Sequence, residues 1–484
     1  MKSSIKKNYF YNVSYQLFAL LVPLITTPYV SRVLGAEGIG EYSYTFAIVK
    51  YFWLLSALGI ATFGSKNIGI VQKNKEKRSY VFWNLFVLKA ILSTFFIIIY
   101  IFYIIILAEN KFIALIQGIN LIAIMFDITF FFQGMEDFKK ISTKNFIIKI
   151  LNIIYIFVFV KTKNDLNIYA FGLAFFLLVG NLIMWKGMSK YVSKVPIKTL
   201  KPFGNLKGVA KLFIPAIAAE IFSIFDKTMI RWFTGSPVEN GYYEQSLKII
   251  QMAVVVITTM GTIMVPKISR EYNEGNFKEV KKYVDKSIRF SLMISIPMVF
   301  GLIAISDKFV LYFFGIEYMK SKYLINILSL LFVFMGINSV TGLQYLIPTG
   351  QENKHIEYLL IGGIVNIILN CILIPKFMSI GAAIASVIGE AIIVCLELKY
   401  LSKTNQYNIK NIFKYIFKYL LMALIMFGII KLVGKDMQSI FEVVIVSMLG
   451  GIIYFSLLIL SKDSIVMEEI VKIKNKIIKV KSEG

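Results

Sequence analysis

Apolar runs long enough to cross a lipid bilayer recur along the whole chain. Roughly 20 apolar residues in a helix span the roughly 30 Å of hydrocarbon. The runs lie near positions 9–34, 42–65, 80–107, 111–133, 145–161, 167–185, 208–234, 241–266, 284–305, 322–348, 356–375, 380–401, 411–431 and 440–461. Because lipid offers the backbone no hydrogen bonds, these runs predict an all-α integral membrane protein with about 14 transmembrane helices.

The composition supports this class and explains the charge. Hydrophobic residues make up 57% of the 484 residues and charged residues 17%, too few for the surface of a soluble protein of this size. A net charge of +25 would suggest nucleic-acid binding in a soluble protein. If the N-terminus is cytoplasmic, the even-numbered connections and both tails hold roughly 35 Lys and Arg, against roughly 11 in the odd-numbered connections. The excess therefore predicts positive cytoplasmic loops, with both termini on that side and no nucleic-acid partner.

Signals for catalysis are missing from the sequence. The predicted outward connections are short, whereas a membrane glycosyltransferase or polymerase needs an extracytoplasmic loop that carries acidic catalytic groups. No stretch matches the phosphate-binding pattern G-x-x-x-x-G-K-[ST]. Cys371 and Cys395 lie in apolar runs, where neither a disulfide nor a thiolate metal site is expected. The sequence predicts a protein that is not an enzyme and that carries no cofactor or metal.

Four features occur twice in the same order along the chain. Proline interrupts the first and seventh predicted helices, and Gly-x-Tyr opens the second and eighth, at Gly40 and Gly241. The fourth and tenth end in QGMEDFK and TGQENK, and the sixth and twelfth share two glycines eight apart, starting at Gly172 and Gly381. The offsets of about 190 to 216 positions predict two six-helix halves. An even number of helices in each half makes the repeat parallel, as in transporters whose substrate path lies between the halves.

The repeat predicts the domain organisation. We expect an N-terminal six-helix half at 1–200 and a C-terminal six-helix half at 201–405, around a central cavity. Two additional transmembrane helices follow at 406–462, and a basic cytoplasmic tail at 463–484.

Prolines and glycines mark the start of each half. Pro23 and Pro28 in the first helix, and Pro215 in the seventh, remove backbone hydrogen bonds and predict bends. Such bends let a half flex, although a static kink fixed by packing is the common outcome. The stretch GAEGIGEY, from Gly35 to Tyr42, predicts a tight outward hairpin into the second helix.

Cations within the spans are candidate substrate ligands. An ionisable group deep in a bilayer costs at least about 2.5 kcal/mol, so it usually faces an interior or a water-filled cavity. Lys50 and Lys248 occupy equivalent places in the second and eighth helices, and such cations suit an anionic ligand such as a diphosphate. Arg32 and Arg289 are further candidates. The alternative is local ion pairing within a helix, between Glu244 and Lys248 or between Glu220 and Lys227.

Acidic residues in the spans are candidates for ion coupling. Asp127 has no acidic equivalent in the tenth helix and no evident partner within one turn, which suits a proton or sodium site. The alternative is a residue at a helix end that is hydrogen-bonded to a neighbour. Glu220, Asp226 and Glu390 are further candidates. The only histidine, His355, is predicted to lie in a cytoplasmic loop and receives no role.

Longer motifs follow one another from about position 8 to position 402. They are PLITTPYVSRVLGAEGIGEYSYTFAIVKYF, FFQGMEDFKK, DKTMIRWFTGSPVENGYYEQSLKII, GTIMVPKISREYNEGN and PTGQENK. In order and spacing they resemble the Wzx-like oligosaccharide flippases of the multidrug/oligosaccharidyl-lipid/polysaccharide exporter superfamily. The resemblance implies a bacterial inner-membrane protein that moves undecaprenyl-diphosphate-linked sugar repeat units outward by alternating access, coupled to H⁺ or Na⁺. Polysaccharide polymerase and glycosyltransferases are the implied partners, beside membrane lipids.

Two related branches remain as alternatives. Lipid II flippases carry arginines in the middle of the first helix, whereas YQLFALLVPLITTP has none and only Arg32 lies near its outer end. Cation-coupled multidrug exporters use acidic residues in membrane helices, a role that Asp127 or Glu220 could fill. The QGMEDFKK and YYEQSLKI motifs resemble the polysaccharide branch more closely.

Overall fold

The computed structural model describes residues 5–259, 261–404 and 407–472, without the side chains of residues 5–13, 17, 212, 214–219, 221–223, 262 and 263. Within these ranges the regular structure is helical throughout, as predicted. The chain divides into two compact units, Met1–Glu244 and Gln245–Gly484, and each is described by itself. The division into 1–200, 201–405, 406–462 and 463–484 stays a prediction.

The first unit is built from eight helices and the start of a ninth. They are α1 Ile5–Ala57, α2 Ile60–Ile70, α3 Lys75–Ile106, α4 Lys111–Met125, α5 Thr129–Gly134, α6 Phe138–Phe159, α7 Leu166–Ile183, α8 Leu206–Thr234 and α9 Pro237–Thr258. Polar side chains begin several of them. Asn74, Asn110 and Asp137 each accept a hydrogen bond from the third residue of the helix that follows, which satisfies an amide left free by the helix start.

The second unit contains the end of α9 and eight further α-helices. They are α10 Gly261–Asn273, α11 Phe277–Phe313, α12 Ser321–Leu328, α13 Leu331–Asn338, α14 Glu352–Phe377, α15 Ser379–Lys403, α16 Ile409–Val433 and α17 Ile440–Leu460. A π-helix, Ser339–Leu346, continues directly from α13. One core joins α10, α11, α13, α15, α16 and α17.

The predicted break between the first two helices is confirmed at Gly35, but the predicted extent of the turn, to Tyr42, is wrong. The helix breaks at a single residue, Gly35, whose φ of 67° and ψ of 178° lie outside the helical region, and Ala36 to Ala57 are helical again. Glycine reaches this positive φ without the steric cost that a side chain adds. Pro23 and Pro28 lie inside the helical segment before the break. The backbone at Pro215 is helical within α8, and its side chain lies outside the described residues.

Eleven described segments are long and apolar enough to cross a membrane. One of them, Ser14–Ile70, contains most of the first predicted span and all of the second. The predicted seventh and eighth spans fall largely in α8 and α9, which are helical but are not among the eleven. Glu239, Glu244 and Lys248 lower the mean hydropathy of α9, whereas α8 contains many of the residues whose side chains are not described. The multi-span all-α prediction is confirmed, and the count of 14 stays a prediction.

Candidate functional site

In the first unit, the two Gly-x-Tyr motifs of the sequence repeat pack against each other. A Cβ on Gly40 would lie 1.6 Å from the carbonyl oxygen of Pro237, and a Cβ on Gly241 would lie 2.0 Å from that of Ala36. Only glycine permits such an approach of two backbones. This contact brings the part of α1 after Gly35 and the start of α9 together, so that side chains further along both helices meet those of α8.

Ion pairs connect these helices. Lys50 Nζ of α1 lies 2.5 Å from Glu220 Oε2 of α8, with 36% and 46% of the two side chains exposed. Lys227 Nζ of α8 lies 2.6 Å from Glu244 Oε2 of α9. The Ser43 hydroxyl donates to the same Glu244 oxygen over 2.8 Å. The observed partners of Glu220 and Glu244 therefore include cations on other helices, which local sequence spacing could not reveal.

Polar groups extend this ion-pair network along α8. Asp226 is 2% exposed and accepts a hydrogen bond from the Tyr243 hydroxyl over 2.6 Å. Arg231 bonds to Glu109 and lies 3.6 Å from Glu41. Each cation of the network, Lys50, Lys227 and Arg231, thus faces a carboxylate. An anionic ligand at Lys50 would compete with Glu220 for the ammonium group.

The other predicted cations lie elsewhere. Arg32 is exposed on α1, and Lys248 is half-buried on α9 in the second unit. Arg289 of α11 donates to Asp463 over 2.8 Å and to the Tyr419 hydroxyl over 3.1 Å. Lys418 also donates to Asp463, over 2.6 Å. Arg289 is thus held by the segment that follows α17 and by α16.

Asp463 lies beyond the last span and is fully buried. Burial raises the pKa of its carboxyl, but the hydrogen bonds and charges of Lys418 and Arg289 outweigh burial, so the pKa lies below its ordinary value. The predicted basic tail therefore begins with a buried acid. Ile465 follows it into the core of the second unit. Residues 473–484 of the predicted tail lie outside the described residues.

Asp127 lies where the fourth predicted span is broken, between α4 and α5. Its Oδ1 accepts hydrogen bonds from the Thr129 amide over 2.9 Å and from the Thr129 hydroxyl over 2.5 Å. The expectation of no partner within one turn is therefore wrong, and the alternative of a bonded residue at a helix end is confirmed. Thr129 was missed because the break cannot be seen in the continuous apolar run.

Side chains of other helices donate hydrogen bonds to the backbone carbonyl groups at this break. Lys89 Nζ, on a side chain 4% exposed, donates to the Asp127 carbonyl over 2.7 Å and lies 4.0 Å from its carboxylate. Asn181 donates to the Ala123 carbonyl, and the Trp185 indole to the Phe126 carbonyl, each over 2.8 Å. These donors satisfy carbonyls that the interrupted helix leaves free, as lipid requires.

The second unit places two acids along α15. Glu390 accepts a hydrogen bond from the Asn338 amide over 2.6 Å. Glu397, two turns further along, is fully buried and contacts His355 and Thr341. His355 lies within α14 rather than in a loop, and it is 6% exposed, so the loop prediction is wrong. Glu397 stands inside the run AIIVCLELKY, and the criterion of an acid in an apolar run could have found it.

An apolar cleft of 350 Å³ also lies in the second unit, among α9, α11, α16 and α17. Its lining includes Ile249, Met293, Leu302, Met426 and Phe455. Gly451 opens onto it, and a Cβ on that residue would meet nothing within 4 Å. The cleft can hold an aliphatic chain but offers almost no partner for a charged group. Among the described residues, no group of three or more His, Cys, Asp or Glu could hold a metal ion.

Comparison with known proteins identifies the family. The model of the polysaccharide biosynthesis proteins matches residues 5–272, more than half of the chain. The chain belongs to this family. A second family model, MatE, matches residues 215–372. Together the two matches place the protein in the multidrug/oligosaccharidyl-lipid/polysaccharide exporter superfamily, among its Wzx-like members, as the sequence motifs predicted.

Two relatives and one solved structure illustrate the likeness. A putative O-antigen transporter of Escherichia coli K12 is 23% identical over 83% of this chain and 97% of its own length. A probable low-salt glycan biosynthesis flippase of Haloferax volcanii is 25% identical over 60% of this chain and 61% of its own length. The inward closed structure of the lipid II flippase MurJ is 18% identical and covers 94% of this chain, with a TM-score of 0.75. The fold is thus that of a multi-pass membrane transporter.

Proposed function

We propose that this protein is a flippase that translocates lipid-linked oligosaccharide repeat units across a membrane for surface polysaccharide assembly. The observation that carries this proposal is the match of the polysaccharide biosynthesis family to residues 5–272. The names of the relatives, an O-antigen transporter and a glycan biosynthesis flippase, agree with it. We further propose undecaprenyl diphosphate as the lipid carrier, the bacterial cytoplasmic membrane as the location, cytoplasmic termini, and transport by alternating access.

The diphosphate of the carrier would bind by partner exchange at Lys50. A phosphate oxygen offers an ammonium group the same charge-assisted hydrogen bond as the Glu220 carboxylate. Both side chains of the pair are about a third or more exposed, so that water and ligand can reach them. Lys248, Arg32 and Arg289 remain further proposed ligands for the diphosphate or for acidic sugars. Of these, Arg289 must first leave Asp463.

The apolar cleft of the second unit would hold part of the prenyl chain. Each methylene group removed from water stabilises binding by about 0.8 kcal/mol, but lipid already supplies an apolar surrounding for the chain. The cleft would therefore fix the position of the prenyl chain rather than increase the affinity of the protein for it. Ion coupling is proposed to involve Glu220, whose protonation would release Lys50, with Asp127, Asp226 and Glu390 as further candidates.

Removal of the gene from its host tests the proposed function. The expected result is loss of surface polysaccharide and accumulation of lipid-linked oligosaccharide on the cytoplasmic face, both reversed by the wild-type chain. Susceptibility to cationic drugs should not change. Normal polysaccharide together with increased drug susceptibility would contradict the proposal and favour a multidrug exporter. A polysaccharide polymerase and glycosyltransferases encoded beside the gene would agree with the proposed partners.

A further inference from the structure

A buried ionisable pair in the second unit has no part in the function described so far. His355 is the only histidine of the chain and is 6% exposed, and Glu397 is fully buried. His355 Nδ1 of α14 lies 2.6 Å from Glu397 Oε1 of α15. Burial of a carboxylate costs free energy unless the group is paired or protonated. The free energy of burying this pair therefore depends on how many protons it holds.

The second oxygen of Glu397 contacts a hydroxyl that can act in two ways. Thr341 Oγ1 lies within hydrogen-bond distance of Glu397 Oε2 and 3.0 Å from the carbonyl oxygen of Ile337. The hydroxyl has one proton, and the carbonyl can only accept. Thr341 therefore donates to Glu397 Oε2 when that oxygen carries no proton, or to Ile337 while it accepts a proton carried on Oε2. The hydrogen bond to Ile337 thus depends on whether Oε2 is protonated.

Thr341 lies in the π-helix Ser339–Leu346, which continues from α13 at Asn338. Single π-helical turns often occur at functional sites and mark places where a helix can change its hydrogen bonding. The His355 ring rests against this turn, because a Cβ on Gly342 would lie 2.3 Å from its Cε1 atom. The two side chains whose protonation can change are therefore in direct contact with an irregular backbone segment.

Other charged and titratable groups lie on the elements around the pair. They include Glu390 and Tyr400 on α15, Lys354, Glu357 and Tyr358 on α14, Tyr345 in the π-helix, Lys267, Arg270, Glu271 and Tyr272 on α10, and Lys322 on α12. On α11, Asp285 is bound by Asn411 and Tyr415, Lys286 by Glu468, and Arg289 by Asp463. Lys354 pairs with Glu357, and Arg270 with Glu271. His355 is thus the one basic side chain observed in contact with Glu397 among the described residues.

We propose that His355 and Glu397 form a proton-binding site that couples transport to a proton gradient, with the π-helix 339–346 as the element that responds. The site takes up one proton from water. A neutral imidazole beside a carboxylate, with one negative charge, becomes a pair without net charge, in which the proton resides on the imidazole or on the carboxyl group. Water contact would favour release of the proton and burial its retention, so occupancy depends on the conformation. The coupling role rests on the proposed flippase function.

The single histidine allows the site to be tested without any transport substrate. Protein with ¹³C-labelled histidine, purified on a tag without histidine and held in lipid nanodiscs, gives one ¹³Cε1 resonance. We expect the chemical shift of this resonance to change with pH. We expect the titration to be displaced in Glu397→Gln and retained in Glu352→Gln, a matched change at an exposed residue three positions before His355. A resonance that does not move with pH in the wild-type protein would overturn the proposal.

Reconstituted liposomes test the coupling. The probe is undecaprenyl diphosphate that carries one N-acetylglucosamine, and an internal dye reports proton movement. Wild-type and Glu352→Gln proteins should move protons with the probe. In Glu397→Gln this proton movement should decrease below the wild-type level, while exchange of the probe without a gradient is kept. Proton movement at the wild-type level in Glu397→Gln would overturn the coupling role.

If the wild-type protein moves no probe, the flippase function fails for this substrate and the coupling role fails with it. The titration of the histidine resonance then still decides whether the pair binds a proton. If the pair serves only stability, Glu397→Gln should lower the unfolding temperature, and the histidine resonance of the wild-type protein should not change with pH. That combination would overturn the proposal while leaving the flippase function intact.

Discussion

The two proposed sites, one in each unit, hold charge in different ways. In the first unit, Lys50 and Glu220 form an ion pair between helices, and about a third or more of each side chain is exposed. In the second unit, Glu397 is fully buried and is matched by the single histidine and a threonine hydroxyl. A fixed cation can exchange one anion for another, whereas a histidine and glutamate pair changes its charge by taking up a proton. The comparison suggests an anionic headgroup as the ligand of the first unit and a proton as that of the second.

The largest expected effect comes from the backbone contact that positions the ion-pair network. In Gly40→Leu the new side chain would overlap the Pro237 carbonyl, because even a Cβ would lie 1.6 Å from its oxygen. We expect a loss of stability of about 3 kcal/mol or more, and so little folded protein in the membrane. Gly428→Leu is the control, since a Cβ on Gly428 would meet nothing within 4 Å. Equal folded amounts of the two variants, judged by size-exclusion chromatography, would contradict the contact.

The next effect concerns the cations. We expect Lys50→Ala combined with Lys248→Ala to abolish surface polysaccharide, compared at equal amounts of protein in the membrane, because the diphosphate loses its charge-assisted bonds. Immunodetection of polysaccharide and of protein in the membrane measures both. The matched control is Lys73→Ala combined with Lys435→Ala, two exposed lysines, one in each unit. Normal polysaccharide in the first double variant would remove both lysines from the proposed site.

A second pair of variants separates ligand binding from structural pairing at Lys50. Lys50→Ala leaves Glu220 without its cation, whereas Lys50→Ala combined with Glu220→Ala removes the unpaired charge. We expect the second change to restore stability but not translocation, measured on the same reconstituted protein. Restoration of both would show that the pair is structural.

A smaller effect is expected at the apolar cleft. Gly451→Leu places a side chain in a space that is open in the structure. Displacement of about two methylene groups of the prenyl chain, each worth at most about 0.8 kcal/mol, corresponds to at most roughly fifteenfold slower translocation. The rate of lipid translocation in liposomes measures this effect. Gly428→Leu, outside the cleft, should be unaffected, and an equal decrease in both variants would contradict a chain-binding cleft.

The smallest effect is a pH dependence of stability in the second unit. The pKa of Asp463 is lowered by Lys418 and Arg289, so its ionised form stabilises the folded state above its ordinary pKa of about 4, and this stability is lost at lower pH. Asp463→Asn should lower the unfolding temperature at pH 7, and the difference from wild type should shrink as the pH falls below about 4. The exposed Asp436→Asn serves as control. A difference that does not depend on pH would contradict the charge account.

The all-α membrane fold and the family could be predicted from the sequence, because the lengths of the apolar runs and the order of the motifs are visible in it. The break at Asp127 could not, since it lies inside a continuous apolar run and is sealed by Lys89 and Asn181 from distant positions. The partner of Lys50 could not be predicted either, because it is distant in the sequence. Glu220 is 170 positions away, and only the packing of α1 on α8 brings the two side chains together.

The loop prediction for His355 failed because it was based on the polarity of the neighbouring residues alone. The surrounding ENKHIEYLL contains enough charge to suggest a loop, yet the helix begins at Glu352 and turns the ring inward. A helical period would have placed His355 on the same face as the buried Leu359 and Gly362. Its acidic partner on α15 could be found only from the structure.

Translocation by the purified protein tests the central claim most directly. Liposomes that contain the wild-type chain and a fluorescent undecaprenyl-diphosphate-linked oligosaccharide are treated with a membrane-impermeant quencher, and the protected fraction is followed in time. The account predicts that the protein makes the protected lipid accessible much faster than protein-free liposomes do, and that Lys50→Ala combined with Lys248→Ala removes the difference. Identical rates with and without the wild-type protein would contradict the flippase function.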